Sequence, residues 1–162
     1  MQDFDAIRAG EAKTDFPDRA DASLVFIGVI RTPWAQREDC PRQGRLDGPL
    51  CRVEVDERWR AALDGVEQFE RLEIFYWLHK SRRDLLLQSP GNNGRVHGTF
   101  ALRSPVRPNP IGAATVALIA CEKNATLLVR GLDCVDGTPL IDIKPDRCRF
   151  SPQAPPRDSD AL

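Results

Sequence analysis

Residues 97–112, with the sequence His-Gly-Thr-Phe-Ala-Leu-Arg-Ser-Pro-Val-Arg-Pro-Asn-Pro-Ile-Gly, are the stretch around which the chain is organised. The segment from Thr99 to Arg103 alternates in polarity, which is typical of a β-strand. Three prolines then follow within six residues. Each proline fixes its own φ angle and favours extended backbone in the residue before it. We therefore predict a strand that runs into a stiff, extended rim, which cannot pair as a central strand.

The predicted rim carries the polar side chains of Arg103, Ser104, Arg107 and Asn109 on a rigid backbone. Stiffness lowers the entropy cost of ordering when a ligand docks. A proline-rich edge that merely ends a strand is the alternative interpretation. Two arginines and an asparagine are not needed to end a strand, so we favour a ligand-binding rim.

Composition bounds the class of protein. The chain has 162 residues, of which 41% are hydrophobic and 29% charged, which suits one domain with or without tails. The formal net charge of −1 means that nucleic-acid binding requires a local basic patch. The sequence has no apolar run as long as a membrane span and no signal-peptide pattern at its start, so we predict a cytoplasmic protein without a membrane partner.

Cysteine and histidine usage argues against metal and disulfide chemistry. The five cysteines are widely spaced and form no CxxC pair, so we predict mostly buried, reduced thiols. The two histidines, His79 and His97, are too few and too far apart to indicate a metal site.

Alternating and β-branched runs predict a mainly β fold. One helix is expected after a capping Asp56, with an apolar face that includes Trp59 packed in the core. Closing the sheet would remove its edges, so the predicted fold is a small closed or nearly closed β-barrel with one or two short helices and long loops. The seven strand-like runs are 23–33, 51–55, 72–79, 97–104, 111–122, 126–132 and 139–143.

The same pattern predicts the domain organisation. Residues 1–22 are polar with weak periodicity and are expected to form a flexible arm or a short peripheral helix. Residues 23–148 form the barrel domain, and the proline-rich, polar residues 149–162 are expected to be a disordered tail. Long connections are expected at 34–50 and 80–96, and long loops are often functional.

A basic stretch between His79 and Arg107 is the best candidate for a phosphate-facing surface, since it contains only one acid, Asp84. A solvated surface explains the same charges. The predicted RNA-binding residues are Arg82, Arg83, Arg95 and Arg107.

Three further segments carry candidate binding groups. The loop segment Pro41-Arg42-Gln43 offers a guanidinium and an amide that can grip a carboxylate or phosphate, or is an ordinary solvated loop. His79 ends an apolar strand and is either a packed rim residue or a functional one. The segment 136–139 is either only a tight turn or a binding element whose closely spaced amides and Thr138 hydroxyl face the polar edge of a ligand. The nucleotide, hydrolase and metalloprotease signatures GxGxxG, Walker A, GxSxG and HExxH are absent.

Taken together, residues 27–34, 41–43, 79, 98–112 and 132–145 resemble the TsaA-like family, also called the TrmO family. The resemblance covers roughly residues 24–146, and the proline-rich and Asp-Gly-Thr-Pro blocks are long and specific. It implies a small β-barrel that binds S-adenosylmethionine without a Rossmann sheet, forms a homodimer and methylates N6 of threonylcarbamoyl-adenosine beside the anticodon of tRNA.

By motif position, the resemblance implies a set of cofactor-binding residues. Lys80 stands where a glutamine often follows the histidine, the C-terminal extension of longer bacterial members is missing, and residues 1–22 fall outside the match. These departures bear on the methyl acceptor more than on the cofactor. The implied cofactor-binding residues are Pro41, Arg42, Gln43, His79, Lys80, Arg103, Asp133, Asp136, Gly137, Thr138 and Pro139.

The residues also suggest roles in the chemistry that the family implies. Arg42 or Arg103 can hold the methionine carboxylate, and Asn109 with a carbonyl of Pro108 or Pro110 can accept the hydrogens of the target amine. Asn109 as a simple turn cap is the competing interpretation. His79 is a candidate base, although the reaction can proceed without one. Two other functions stay open: methylation of a different, smaller acceptor, and a non-catalytic S-adenosylmethionine sensor.

Overall fold

The computed structural model describes residues 6–15, 17, 21–91 and 94–150. Within these ranges the strands are β1 (Ala12–Lys13), β2 (Gly28–Arg31), β3 (Cys51–Val55), β4 (Arg71–Trp77), β5 (Leu85–Gln88), β6 (His97–Gly98), β7 (Ile111–Glu122), β8 (Thr126–Arg130) and β9 (Thr138–Pro145). Short 3-10 helices occupy Arg37–Asp39, Glu57–Leu63, Val66–Gln68 and Thr99–Ala101. Six strands close into an antiparallel barrel in the order β2-β3-β8-β7-β4-β9, while β1, β5 and β6 form a separate small sheet. The predicted mainly β barrel is confirmed.

Strand β4 shows how the sequence builds the barrel core. Leu72, Ile74 and Tyr76 are buried, and the residues between them are only partly covered. Strand β4 pairs with β7 on one side and β9 on the other, so its central position is as predicted. Full burial of each large aliphatic side chain contributes about 1.5–3 kcal/mol. The other core side chains that are fully shielded include Ile30, Val53, Val116, Leu127, Val129 and Leu140.

The antiparallel topology brings three long connections to the same end of the barrel. These connections are 32–50 after β2, 78–110 after β4 and 131–137 after β8. The pairing of Ile30 with Thr138 and of Trp77 with Ile111 places the ends of β2 and β4 beside the starts of β9 and β7. Polar groups that are up to about 100 residues apart in sequence therefore meet at one rim.

The prediction of a strand at 97–104 is wrong beyond Gly98. Thr99 is buried and begins a 3-10 turn, because its hydroxyl donates to the carbonyl of Leu85 at 2.6 Å and accepts from the Gln88 side-chain amide at 2.8 Å. Side-chain hydrogen bonds of this kind compete with the strand ladder. Alternating polarity alone did not reveal this competition.

Residues 80–96 contain a strand that the sequence prediction treated as a connection. Strand β5 pairs with β6 and with β1, and Ala12 lies opposite Leu87. The run of three leucines at 85–87 was an available signal. The pairing ties the described part of residues 1–22 to the body of the protein, where Arg8 also donates to the Ser89 carbonyl at 2.9 Å.

The predicted helix after Asp56 is a 3-10 helix, and the Asp56 side chain makes no capping hydrogen bond. Trp59 is 37% exposed, so the prediction that it packs in the core is wrong. Leu63 and Val66 do pack against the barrel core. Gly65 adopts φ of +82°, a left-handed conformation that ends the segment and that glycine tolerates best.

All five cysteines lie within the described residues, and none of them forms a disulfide there. The prediction that most are buried is wrong, because only Cys51 and Cys134 are buried, whereas Cys121 is exposed. Of the predicted tail, only Arg149 and Phe150 lie within the described residues; 151–162 lie outside them.

The end of the barrel opposite the three long connections contains a cavity of about 440 Å³. Its lining includes the apolar residues Leu63, Val66 and Leu127 together with charged residues such as Arg60 and Glu67. A groove of about 340 Å³ adjoins it beside Phe69 and Leu118.

Among the described residues, no helix has both the length and the apolarity needed to cross a membrane. The described residues also hold no group of three or more His, Cys, Asp or Glu side chains arranged for a metal ion.

Candidate functional site

A buried tyrosine holds an acid at the loop end of the barrel. The hydroxyl of Tyr76, on β4, donates a hydrogen bond of 2.5 Å to Oδ1 of Asp133. Burial, with the nearby charge and hydrogen bond of Asp133, raises the pKa of Tyr76 far above its ordinary value, so the hydroxyl stays a donor. Asp133 itself is only partly covered. Its carboxylate therefore has a fixed direction and is still accessible from solvent.

Gly112 makes room for the Tyr76 ring. The two residues are register partners on β7 and β4, and a Cβ at position 112 would lie 2.1 Å from Cε2 of Tyr76. Any larger residue would push the ring away from Asp133. Gly112 has no side chain that could contact a ligand, but its small size is required for the position of the Tyr76 ring.

Arg103 supplies a positive charge near the same tyrosine. One of its terminal nitrogens donates to the carbonyl of Ala113 at 2.9 Å, and its positive charge acts to lower the pKa of Tyr76, against the other influences. The residue is exposed, and a guanidinium has more donors than one carbonyl can occupy. Arg103 can thus bind an anionic group while its backbone contact fixes its direction.

Hydrogen bonds join the turn at 136–138 to the end of β2 and to the first long connection, residues 32–50. The amide of Asp136 donates to the Trp34 carbonyl at 2.7 Å, and that of Gly137 donates to the Ile30 carbonyl at 2.9 Å. The Asp136 carboxylate accepts from the amide of Thr32 at 3.1 Å. Gly137 has φ of +78°, which confirms the predicted turn.

This arrangement corrects the expectation that the turn's amides and the Thr138 hydroxyl face a ligand. Thr138 is 1% exposed, and its hydroxyl donates to the Val135 carbonyl at 2.7 Å, while its amide donates to the same carbonyl at 3.3 Å. These donors stabilise the turn. Contacts of 136–139 with a cofactor stay a prediction and would use carbonyl or side-chain groups.

The segment Pro41-Arg42-Gln43 leads directly into a close backbone approach to the residues just before Asp133. A Cβ at the next residue, Gly44, would lie 1.8 Å from the Gly131 carbonyl oxygen, so only glycine permits this contact. Burial, and after it the negative charge of Asp133, raises the pKa of the Cys40 thiol. Arg42 and Gln43 are exposed. The structure thus brings the first connection and the 133–139 segment together.

His79 and Lys80 form an exposed turn directly after β4. The amide of His79 donates to the Trp77 carbonyl at 2.8 Å, and the Lys80 carbonyl accepts from Arg37 at 3.5 Å. The turn therefore borders the first long connection. Catalysis by His79 and cofactor binding by both residues stay predictions.

The predicted RNA-binding arginines differ in how much of their charge is available. Arg82 forms an ion pair with Asp84 at 2.7 Å, and its side chain is only 15% exposed. Arg107 donates to the carbonyls of Leu102 and Ser104 at 3.1 and 3.2 Å. Arg95 is exposed, and Arg83 bonds to the proline-rich rim. RNA binding by these four residues stays a prediction.

Sequence reasoning missed two residues that shape the site. The sequence pattern places Tyr76 in an alternating strand or offers it as a stacking face for a base, and it does not predict the bond to Asp133, although a tyrosine hydroxyl on a buried face requires a polar partner. Gly112 was treated as the end of the proline-rich block. A glycine inside a strand pattern indicates close approach of another group, and this was the available signal.

Comparison with known proteins bears on the family to which the chain belongs. The model of the tRNA-methyltransferase O N-terminal domain matches residues 29–150. The chain is 55% identical, over 94% of its length and 87% of the relative, to the probable S-adenosyl-L-methionine-binding protein VirR of Rhizobium radiobacter. It is 39% identical to the tRNA (adenine(37)-N6)-methyltransferase of Escherichia coli, over 74% of this chain and 55% of that one.

Solved structures agree with the fold. The crystal structure of TrmO from Pseudomonas aeruginosa has a TM-score of 0.64 at 29% identity, over 88% of this chain and 64% of that one. This chain thus spans less than two thirds of that structure and about half of the Escherichia coli enzyme. The domain match covers most of the barrel and the loops that build its rim. The chain therefore belongs to the TrmO family, through its tRNA-methyltransferase O N-terminal domain.

Proposed function

We propose that this protein is an S-adenosylmethionine-dependent methyltransferase that methylates N6 of the threonylcarbamoyl-adenosine beside the anticodon in tRNA. The observation that carries the proposal is that a carboxylate fixed by Tyr76, Asp133, and a guanidinium on the proline-rich rim, Arg103, both lie close enough to Tyr76 to act on its hydroxyl. The family relatives that are named as binders of S-adenosylmethionine and as tRNA methyltransferases support it.

The charges of the site fit the cofactor. S-adenosylmethionine has an α-ammonium and an α-carboxylate, and it supplies an electrophilic methyl group when it is bound. Asp133 suits the ammonium or a ribose hydroxyl, and Arg103 or Arg42 suits the carboxylate. The other predicted contacts are Pro41, Gln43, His79, Lys80, Asp136, Gly137, Thr138 and Pro139.

The rim supplies acceptors for the target amine. The lone pair of an exocyclic adenine amine is delocalised into the ring, so acceptors that bind its hydrogens as the nitrogen becomes tetrahedral favour the transition state. We assign this role to the Asn109 side chain and to the carbonyl of Pro108 or Pro110. Alignment of amine and methyl donor in a line supplies much of the rate. His79, exposed at the same end, is the candidate base.

Binding of tRNA uses the basic surface at the loop end. The sequence predicts Arg82, Arg83, Arg95 and Arg107 as its contacts, and of these Arg95 is the exposed one and the one we assign to a phosphate. Neutralisation of phosphates by arginine supplies affinity that does not depend on sequence and weakens as salt concentration rises. A tRNA substrate also implies action in the cytoplasm.

We further propose a homodimer. Its support is the resemblance to the family together with exposed apolar side chains on the small sheet and the rim, such as Leu86 at 52% and Phe100 at 81% exposure. Sedimentation equilibrium at micromolar protein tests this, and a monomer at all concentrations would exclude it.

The decisive experiment has two parts. Calorimetry of the purified protein with S-adenosylmethionine tests the cofactor, and mass spectrometry of tRNA nucleosides from cells with and without the protein tests the product. We expect binding heat and a methylated threonylcarbamoyl-adenosine that disappears with the gene. Binding of S-adenosylmethionine without any methylated product would favour a non-catalytic sensor module. Methylation of small acceptors but not of tRNA would favour a methyltransferase with a different, smaller substrate. Absence of binding heat would reject the proposal.

A further inference from the structure

The Arg83 side chain joins the end of β4 to the proline-rich rim. Its Nε donates to the Pro108 carbonyl at 2.6 Å, and a terminal nitrogen lies 3.4 Å from Oδ1 of Asn109. The guanidinium carbon lies 5.4 Å from the centroid of the Trp77 ring, within the range of a cation–π contact. The bond to Pro108 is short and the one to Asn109 is long, so the backbone contact is the stronger of the two.

The rim depends on bonds of this kind because its prolines have no amide hydrogen to donate. Its carbonyls at alternate positions accept from the body of the protein instead. The Val106 carbonyl accepts from the Gln88 side chain at 2.7 Å, and the Pro110 carbonyl accepts from the Leu78 amide at 2.8 Å. Arg83 supplies the middle contact, at Pro108, beside Asn109. Of these three contacts, it is the one that also reaches the Asn109 side chain.

We propose that Arg83 is a positioning residue for the methyl acceptor rather than a phosphate contact. A carbonyl oxygen has two lone pairs, so Arg83 can bind one on Pro108 and one on Asn109 while the others accept from the target amine. The stacked guanidinium then fixes the direction of both acceptors. This inference rests on the proposed methyl transfer and names the residue that organises its acceptor subsite.

The planar guanidinium is needed for this role. Lysine keeps the charge but lacks the fork that spans two acceptors and the flat face that lies over Trp77. A phosphate contact depends mainly on the positive charge of the side chain and less on the planar geometry of the guanidinium. The substitutions Arg83→Lys and Arg83→Ala therefore separate the two roles.

The test measures methylation, tRNA binding and rim exchange for both variants. We expect Arg83→Ala to lower kcat by about tenfold to a hundredfold. The affinity for S-adenosylmethionine stays within about twofold, and the salt dependence of tRNA binding is unchanged. Arg83→Lys, which keeps the charge, should also lose most of kcat. Hydrogen exchange in residues 104–112 should speed up in both variants. Arg58→Ala, an exposed arginine on the Glu57–Leu63 helix, is the control and should change none of these quantities.

A double-mutant cycle with Asn109→Ala identifies the route of the effect. If Arg83 acts through Asn109, removing it should cost less activity in the Asn109→Ala background than in the unsubstituted protein. Equal losses in the two backgrounds, full activity of Arg83→Lys, or a salt slope that falls by about one in Arg83→Ala would each overturn the proposal. Should Arg83→Ala fail to fold, Arg83→Lys decides alone. Failure of the proposed function itself would appear as no methylated product from the unsubstituted protein.

Discussion

Tyr76 and Asp133 are 57 residues apart in sequence, yet the tyrosine hydroxyl donates to the aspartate carboxylate at 2.5 Å. The tyrosine is 2% exposed, whereas the aspartate lies at the mouth of the barrel, only partly covered. The bond therefore passes from the rigid core to a group that a ligand can reach. This is how a packed barrel fixes the direction of a charge on a loop.

Replacing Tyr76 with phenylalanine should weaken cofactor binding. The ring stays, so the core packing is kept, but Asp133 loses its donor. A hydrogen bond to a charged group contributes about 1.5–3 kcal/mol, so we expect the Kd for S-adenosylmethionine to rise about tenfold to a hundredfold. Calorimetry measures it, with Asp133→Asn as the companion variant. An unchanged Kd in Tyr76→Phe would show that Tyr76 does not orient the acid for the ligand.

Gly112→Ala should destabilise the protein and weaken cofactor binding together. Its added methyl group meets the Tyr76 ring, where little space exists for relaxation, so we expect a loss of about 1–3 kcal/mol in the free energy of unfolding. Gly98→Ala is the matched control, because a Cβ there has nothing within 4 Å. Urea denaturation of both variants checks this, and equal stability of the two would contradict the close packing.

Alkaline pH should destabilise the fold through buried groups. Burial raises the pKa of Cys51 to about 11 and that of Cys134 to about 12, from an ordinary value of 9.0. In the unfolded chain these thiols lose protons near pH 9 while the folded protein keeps them. The free energy of unfolding should therefore be constant below about pH 9 and fall above it. The contribution of Cys134 is at most about 1.4 kcal/mol per pH unit.

Urea denaturation between pH 7.5 and 10.5 measures this effect. Cys134→Ala should show a shallower decline than the unsubstituted protein, and Cys121→Ala, at an exposed cysteine, should alter the slope less. The pKa of Tyr76 is also raised by burial, so Tyr76 should lower the free energy of unfolding further above its ordinary pKa of 10.0. A stability profile that stays flat to pH 10.5 would contradict the burial of these groups.

Reversing the charge of Arg95 should weaken tRNA binding and flatten its salt dependence. Arg95 is exposed in the basic stretch, and each phosphate contact contributes about one unit to the slope of log affinity against log salt. Arg95→Glu is compared with Arg58→Glu, which makes the same charge change at the far end of the barrel. Filter binding from 50 to 300 mM salt measures both. Identical slopes would exclude a direct phosphate contact by Arg95.

Local pattern predicted the barrel strands well where they alternate or carry β-branched runs. The bounds of β3 and β7 were predicted as observed, and β4 was recognised as central. The pattern was wrong for residues 99–104, where the side chains of Thr99 and Gln88 compete with strand pairing. It also missed β5. Strand propensity depends on residues that are close in sequence, so it contains no information about hydrogen-bond partners from distant segments.

Residue patterns and motifs were enough to establish a mainly β protein of the TrmO family with a proline-stiffened rim. Those features follow from alternation, from proline geometry and from specific motifs, all of which are local. Which groups share the site became visible only in the three-dimensional arrangement of the strands and loops. The barrel register brings Tyr76 to Asp133 and Arg83 to Pro108, and it turns the amides of 136–138 inward. These contacts join distant segments, and closure of the sheet sets them.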